Sequence, residues 1–317
     1  MTAAPGTKTT SDFDFLTGTF DVVHRRLVAP LTGSTEWEEH AGTCTARTAF
    51  DGAVSIDEMQ FPTRGHFGMS VRLFDPVARE WSVYWVDSRT GTLQPPVRGR
   101  WEDGACEFVG ADEHDGRPIL AAYRWSAVTA TTAHWEQGFS VDGGVTWETN
   151  WTMEFTRRAT PPPRLDIPAP TSDFDFLRGD WTVAHHRLDA PLSGATTWTD
   201  VPGTAHGWTH FDGAASLDEN DFPGPSSGGL TLRLFDPAAR QWSIWWVTRR
   251  DGVLTPPVRG GFDADGVGRF HGFDTLDGRP VEVRFRWTRG AVPVWEQSFS
   301  ADGGTTWEPN WRMTFTR

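Results

Sequence analysis

Apolar and polar residues alternate in short runs along the chain, as they do in β-strands with one buried face. In residues 20–26, Phe20, Val22 and His24 would share one face of an extended strand. Residues 81–85 are apolar on both faces, which is typical of a strand that is covered on both sides. Turn-forming Gly, Pro and Asp residues separate such runs at intervals of about 8–15 residues, and no amphipathic helix of about ten residues stands out. The pattern predicts an all-β fold.

The same motifs occur twice, in the same order. Ser-Asp-Phe-Asp-Phe-Leu at residues 11–16 recurs at 172–177, and Arg-Leu-Phe-Asp-Pro at 72–76 recurs at 233–237. Two copies are too few for a solenoid or a propeller, which need more units to stack. We therefore interpret the chain as a tandem duplication in which each copy is its own closed unit.

A proline-rich segment separates the copies. Residues 158–171 contain five prolines, which predicts an extended, semi-rigid spacer between a first domain at 11–157 and a second at 172–317. About eight to ten short strands in ~150 residues fit an antiparallel barrel, where closure removes exposed edges and leaves room for one small ligand. Residues 12–16 are expected to form a short helical lid, repeated at 173–177.

The charge balance narrows the range of partners. The chain has 42 acidic and 29 basic side chains and a net charge of −13. Nucleic-acid binding depends on clustered Lys and Arg, and anionic membranes also attract basic surfaces, so neither partner is expected. No apolar run approaches the ~18–20 residues that span a bilayer.

Localisation in the cytoplasm is predicted from two features. Residues 1–10 are small and polar, without the hydrophobic segment of a secretory signal. The two cysteines, Cys44 and Cys106, both lie in the first copy, whereas a framework disulfide should occur in both copies. We interpret them as free thiols in a reducing compartment.

Aromatic residues are unusually frequent, with 18 Trp and 21 Phe. Such side chains favour strands and can also form the walls of a cavity, although core packing is the simpler explanation for each one singly. An inward amide beside aromatic rings could orient a ligand or be a hydrogen-bonded core group. The candidate ligand-binding residues are Trp37, Trp85, Trp135, Gln137, Trp151, Trp198, Trp246, Trp295, Gln297 and Trp311.

Two pairs of titratable residues are the catalytic candidates: His24 with Glu58, and His185 with Glu219. The histidines lie on the apolar face of their strand. By alternation Glu58 shares a face with Ile56, where a carboxylate is costly unless it is paired. The two side chains could meet across the barrel as an acid–base dyad or as a buried structural pair. A histidine that binds haem is a further alternative.

Other motifs carry less functional information. The Ser-x-Asp-Gly-Gly-x-Thr-Trp turns at 140–147 and 300–307 resemble the Asp-box, whose role is structural. Arg72 and Arg233 are expected to extend from the outer face over aromatic surface. No zinc-ligand spacing, phosphate loop, dinucleotide fingerprint or nucleophile elbow is present, so we expect neither a metal nor a cofactor.

The motif series as a whole resembles a known family. Asp-Phe-Asp-Phe-Leu, His-Arg-Arg-Leu, Arg-Leu-Phe-Asp-Pro, Trp-Ser-Val-Tyr-Trp and Trp-Glu-Gln together are similar to bacterial calycin-like (lipocalin-like) domains of unknown function, over nearly all of each copy. The resemblance implies two tandem calycin-like barrels, each with an internal cavity, and no established catalytic residues. The second copy departs at His186, where the first copy has Arg25.

Two classes of function follow as expectations. The protein is either a cofactor-independent enzyme of cyclase, isomerase or hydratase type, or a carrier that binds a hydrophobic or aromatic small molecule without catalysis. The enzyme is slightly favoured. Ionisable groups on an inward face cost stability, and groups with perturbed pKa values cluster at functional sites. The barrels are expected to pack with pseudo-twofold symmetry, as an internal pseudo-dimer within a monomeric chain. Substitutions such as Met59 to Asn220 suggest that the two cavities are not equivalent.

Overall fold

Each half of the chain forms a compact unit in the computed structural model, which describes residues 10–102, 105–223 and 228–317. The units are Met1–Ile167 and Pro168–Arg317, so the division falls within the proline-rich segment. Residues 1–9, which hold most of the segment judged to lack a secretory signal, lie outside the described residues.

The first unit is a closed barrel of ten antiparallel strands. They are β1 (Gly18–Leu27), β2 (Trp37–Ala49), β3 (Val54–Phe61), β4 (His66–Asp75), β5 (Glu80–Asp87), β6 (Val97–Glu102), β7 (Ala105–His114), β8 (Arg117–Ser126), β9 (Thr132–Ser140) and β10 (Glu148–Arg157). Neighbours along the chain pair with each other, and β10 pairs with β1 to close the sheet. Two 3-10 helices, Asp14–Leu16 and Phe50–Gly52, accompany the strands.

The second unit repeats this topology, which confirms the predicted all-β class. Its strands are β11 (Gly179–Leu188), β12 (Trp198–His210), β13 (Ala215–Asp221), β14 (Gly229–Asp236), β15 (Gln241–Thr248), β16 (Val258–Phe262), β17 (Val267–Leu276), β18 (Arg279–Thr288), β19 (Val294–Ser300) and β20 (Glu308–Thr316). Its 3-10 helices are Asp175–Leu177 and Phe211–Gly213. β20 pairs with β11 and closes the second barrel.

A short plug covers one end of the first barrel. Since the strands are antiparallel, β1 begins where β10 ends, and the 3-10 helix Asp14–Leu16 lies directly before β1. Phe13 and Leu16 are buried in the core, and the Phe13 ring meets the Trp81 indole edge-on at 4.8 Å. Trp81 Nε1 donates a hydrogen bond to the Asp12 carboxylate at 2.9 Å. We call this the plugged end and the opposite one the far end.

The Asp-box-like turns have the structural role expected of them. Asp142 accepts hydrogen bonds from the Thr146 hydroxyl, the Thr146 N–H and the Ser140 hydroxyl, and these bonds lower the pKa of Asp142 to about 2. Trp147 Nε1 donates to the Gly144 carbonyl at 3.0 Å, which fixes the indole against the turn. The turn therefore orders the β9–β10 connection.

Two further observations concern the environment of the chain. Cys44 and Cys106 are free and buried. None of the helices in the described part of the chain has the length and apolar character needed to cross a membrane.

Candidate functional site

The interior of the first barrel holds a cavity of about 190 Å³. It extends from a buried ion pair, Asp57 with Arg72, toward the far end, where Arg26 and His114 lie at the ends of β1 and β7. The residues that line it are Arg26, Asp57, Met59, Ser70, Arg72, Val83, Trp85, Gln94, Phe108, Asp112, Glu113, His114, Tyr123, Trp125, Trp135, Gln137, Phe139, Trp151, Met153 and Phe155.

The inner boundary of the cavity is a buried ion pair, in which Arg72 Nε and Nη1 have no hydrogen-bond partner among the described residues. Arg72 is 3% exposed, and its Nη2 donates to Asp57 Oδ2. Asp57 Oδ1 also accepts from the Ser70 N–H at 3.2 Å, and the Arg72 guanidinium lies 5.1 Å from the centre of the Phe13 ring. The expectation that Arg72 lies on the outer face was wrong, and Arg233 is likewise buried beside Asp218. Aromatic residues cover the guanidinium from inside the barrel instead.

The walls combine indole rings with a few polar groups. The Trp151 ring packs edge-on against the rings of Trp135 and Trp85, with 5.4 Å and 5.9 Å between the ring centres. Gln137 Nε2 donates to Asn150 Oδ1 at 2.8 Å, and Asn150 sits at a β-bulge in β10. Tyr123 also lines the cavity, and burial raises the pKa of its phenol, which keeps the hydroxyl protonated as a hydrogen-bond donor.

Most, though not all, of the predicted ligand-binding residues line a cavity. Trp85, Trp135, Gln137 and Trp151 line the first, and their counterparts Trp246, Trp295, Gln297 and Trp311 line the second. Trp37 and Trp198 do not. They begin β2 and β12, where Arg25 lies 5.7 Å from the Trp37 ring and His186 stacks on Trp198 at 4.6 Å.

His24 is buried behind the cavity wall. Its Nδ1 accepts a hydrogen bond from Trp151 Nε1 at 3.3 Å, and its ring stacks on His40 at 4.7 Å. Burial, followed by the nearby charges of His40 and Arg26, lowers the pKa of His24 to about 3. His185 repeats the arrangement with Trp311 at 3.3 Å, and burial lowers its pKa to about 4. Both imidazoles are thus neutral groups that position a cavity tryptophan.

Two glycines make room for the His24 and Trp85 rings, and the motifs in the sequence did not indicate either glycine. A Cβ at Gly42 would lie 2.6 Å from His24 Nε2, and one at Gly68 would lie 2.2 Å from the Trp85 ring. Gly203 and Gly229 face His185 and Trp246 at similar distances. Their recurrence in both copies was the available signal, because a strand glycine often marks close packing.

Glu58 lies on the opposite face of β3 from the cavity, which corrects the predicted dyad. Asp57 and Met59 face inward, so alternation directs Glu58 outward, where it forms an ion pair with Arg164 of the proline-rich segment. In the second copy Arg249 donates to Glu219 at 3.1 Å. The structure therefore does not bring His24 together with Glu58, nor His185 with Glu219.

Haem does not fit the residues present. Neither His24 nor His185 lines the cavity inside its own barrel, and a Cβ on Gly42 would already meet His24 Nε2. A porphyrin is far larger than benzene, which by itself occupies a cavity of about 150 Å³. No group of three or more metal-ligating side chains able to hold an ion occurs among the residues that the structure describes.

The cavity of the second barrel is smaller, at about 90 Å³. Phe285 faces Gln297 as Tyr123 faces Gln137, so the second cavity loses the phenol hydroxyl. Asn220 replaces Met59 and donates from Nδ2 to Asp218, the carboxylate that pairs with Arg233. The cavity-lining residues are Thr231, Arg233, Ile244, Trp245, Trp246, Thr255, Pro256, Val258, Phe273, Asp274, Val283, Phe285, Trp287, Trp295, Gln297, Trp311 and Met313.

Comparisons with known proteins give only distant similarity. No family model matches the chain, and no curated protein matches it. A protein of unknown function of the DUF3598 family from Nostoc punctiforme is 10% identical with a TM-score of 0.27, and the match covers 99% of this chain and 100% of that one. A mutant of transferrin binding protein B from Haemophilus parasuis is 8% identical with a TM-score of 0.21, over 94% of this chain and 76% of that one. Similarities this low carry no argument about function.

Proposed function

We propose that the first barrel binds a small aromatic molecule in its interior. The observation that carries the proposal is a cavity of about 190 Å³. Its walls are formed by indole rings, and Tyr123 and Gln137 also line it. Tryptophan faces provide apolar contact, while a few buried polar groups orient a ligand. Gln137 Nε2 is already bonded to Asn150, so Gln137 offers its carbonyl oxygen and Tyr123 offers a donor.

The cavity volume limits the size of the ligand. An apolar cavity of about 150 Å³ holds benzene, so 190 Å³ suits one aromatic ring with a short substituent. The second cavity, at about 90 Å³, is below that size. The proposal therefore assigns binding to the first barrel, with the second as its diverged copy.

Of the two classes of function predicted from sequence, the position of the titratable groups favours the non-catalytic binder. An acid–base residue must reach the substrate directly or through one water. His24 lies behind Trp151, and Glu58 lies on the outer face of β3. The cofactor-independent enzyme stays a prediction to which these two residues lend no support.

Two further proposals concern the fold family and the cellular compartment. The chain is proposed to be a tandem pair of calycin-like domains, supported by the closed barrels and their internal cavities. It is proposed to act in the cytoplasm, supported by the free thiols of Cys44 and Cys106. Pseudo-twofold packing of the copies stays a prediction.

A pair of matched cavity-filling variants tests the binding proposal. Val83 is buried in β5 and lines the first cavity, and Ile244 is its counterpart in β15 and lines the second. Titration calorimetry of the full chain with phenylacetamide should show binding to the wild type. Val83→Phe should weaken that binding by about tenfold or more, because the added ring occupies the cavity, whereas Ile244→Phe should not change it.

Thermal unfolding of both variants checks that each barrel remains folded. The proposal fails if phenylacetamide, phenylacetate and phenethylamine all leave the wild type unaffected. It also fails if Ile244→Phe, rather than Val83→Phe, removes binding, since the ligand would then occupy the second barrel.

A further inference from the structure

Arg26 is the cationic side chain of the first cavity that has no internal partner. It lies near the end of β1, is partly buried and lines the cavity. Its guanidinium lies 4.3 Å from the centre of the Trp151 ring. Among the residues that the structure describes, no hydrogen bond or ion pair reaches this guanidinium. Arg72, the other arginine of the cavity, is paired with Asp57.

Two carboxylates whose charges act on Arg26 are already paired with other arginines. Glu38 forms an ion pair with Arg64, and Asp87 accepts hydrogen bonds from Arg89 Nε at 2.9 Å and 3.2 Å. Both carboxylates act on Arg26 only through space, while burial and the charge of Arg64 lower the pKa of Arg26. Neither carboxylate is therefore bonded to the Arg26 guanidinium.

A half-buried cation without a counter-ion keeps only part of its hydration, and no carboxylate of the described residues is bonded to it in exchange. A ligand carboxylate would supply a counter-ion and hydrogen bonds, since arginine pairs with carboxylates through two parallel N–H donors. We propose, resting on the aromatic binding site proposed above, that the ligand of the first barrel is an aromatic carboxylate whose acid group pairs with Arg26.

Two acidic residues at the far end give the competing expectation. Asp112 and Glu113 also line the cavity, and they would favour an amine. Glu113 is exposed, however, and Asp112 accepts a hydrogen bond from the Glu113 N–H at 2.8 Å. The exposed Glu113 carboxylate is hydrated at little cost, and the half-buried Asp112 already has a hydrogen bond, which the Arg26 guanidinium lacks. A cationic probe distinguishes the two expectations.

The second barrel offers a matched control. Arg187 lies 4.4 Å from the centre of the Trp311 ring, and burial lowers the pKa of its guanidinium as it does for Arg26. Arg187 does not line the second cavity, however. Arg187→Gln therefore removes a guanidinium that is stacked on a tryptophan ring, as Arg26→Gln does, but outside the cavity proposed to bind the ligand.

Titration calorimetry of the full chain with three probes of similar shape tests the inference. The probes are phenylacetate, its neutral amide phenylacetamide, and phenethylamine. The wild type should bind phenylacetate about tenfold more tightly than the amide, as one charged hydrogen-bonded pair allows. Arg26→Gln should abolish this preference, so that the acid and the amide bind with similar affinity. Arg187→Gln should keep the preference.

Thermal unfolding of Arg26→Gln and measurable amide binding by this variant show that the barrel is folded, so loss of folding cannot imitate the expected result. Equal wild-type affinity for acid and amide would overturn the inference, as would tighter binding of the amine. Retention of the acid preference in Arg26→Gln would overturn it too. These results leave aromatic binding standing, whereas failure of all three probes contradicts the binding proposal itself.

Discussion

His24 is neutral because burial, more than any single neighbour, disfavours its charged form. Its pKa is lowered to about 3, and its Nδ1 accepts the Trp151 N–H, so the proton sits on Nε2. The sequence indicated an inward histidine on an apolar face, and this much is confirmed. It could not show that Trp151 would stand between the imidazole and the cavity, because that depends on the register of β1 and β10.

The neutral state of His24 predicts acid sensitivity. An unfolded histidine takes up a proton near pH 6.5, whereas the folded one does so only near its pKa of about 3. The unfolded chain then binds more protons, so stability falls as the pH drops below about 6.5, by up to about 1.4 kcal/mol per pH unit for this histidine. Urea unfolding at pH 7 and pH 5 should show this loss in the wild type. It should show a smaller loss in His24→Gln, and an identical pH dependence of the two proteins would contradict the assignment.

For Glu58, the alternation of residues along β3 predicted which side chains share a face but not which face lines the barrel interior. Glu58 does share a face with Val54 and Ile56, as the pattern predicts. Every residue of β3 is buried, however, so the apolar character of a face did not identify the barrel interior. The inner carboxylate is Asp57, and the outer face is covered by the proline-rich segment.

Glu58→Gln therefore separates a structural carboxylate from a catalytic one. Glu58 is 4% exposed and paired with Arg164, so its replacement should lower the free energy of unfolding by about 1–3 kcal/mol. Phenylacetate affinity should not change. Glu219→Gln is the matched control, with a smaller loss, because the Glu219 side chain is 25% exposed. Loss of ligand binding in Glu58→Gln would refute this placement.

At the scale of elements, the proline-rich segment is more than a spacer. Gln60 Nε2 donates to the Pro163 carbonyl at 3.3 Å, and Gln60 Oε1 accepts from the Leu165 N–H at 2.6 Å. Arg164 also lies 4.4 Å from the centre of the Phe67 ring. Composition predicted an extended chain but not this docking, because the bonds to Gln60 use backbone groups that any sequence has, and the partners of Arg164 depend on the tertiary fold.

The plug and the Asp-box-like turns were predictable because their signals are local. The helical lid expected at residues 12–16 is present as the 3-10 helix Asp14–Leu16. The turn at 140–147 is likewise ordered by hydrogen bonds between residues at most four positions apart. Which side chains face the barrel interior depends instead on the pairing of strands that are distant in the chain, and a single sequence does not determine that pairing.

At the scale of the whole molecule, the duplication preserved a barrel and changed its interior. The repeat predicted two closed sheets, and ten strands in each agree with the predicted eight to ten. Non-equivalence of the cavities was also expected, and the volumes of about 190 and 90 Å³ agree with it. The volumes themselves could not be read from sequence, because they depend on how each tryptophan packs.

Electron density for phenylacetate in crystals of the full chain would locate the ligand itself. We expect one molecule per chain, with its ring among Trp85, Trp135 and Trp151 and its carboxylate against the Arg26 guanidinium. A ligand in the second barrel, a carboxylate turned toward Asp57 and Arg72, or an interior of the first barrel that stays empty at saturating phenylacetate would contradict this expectation.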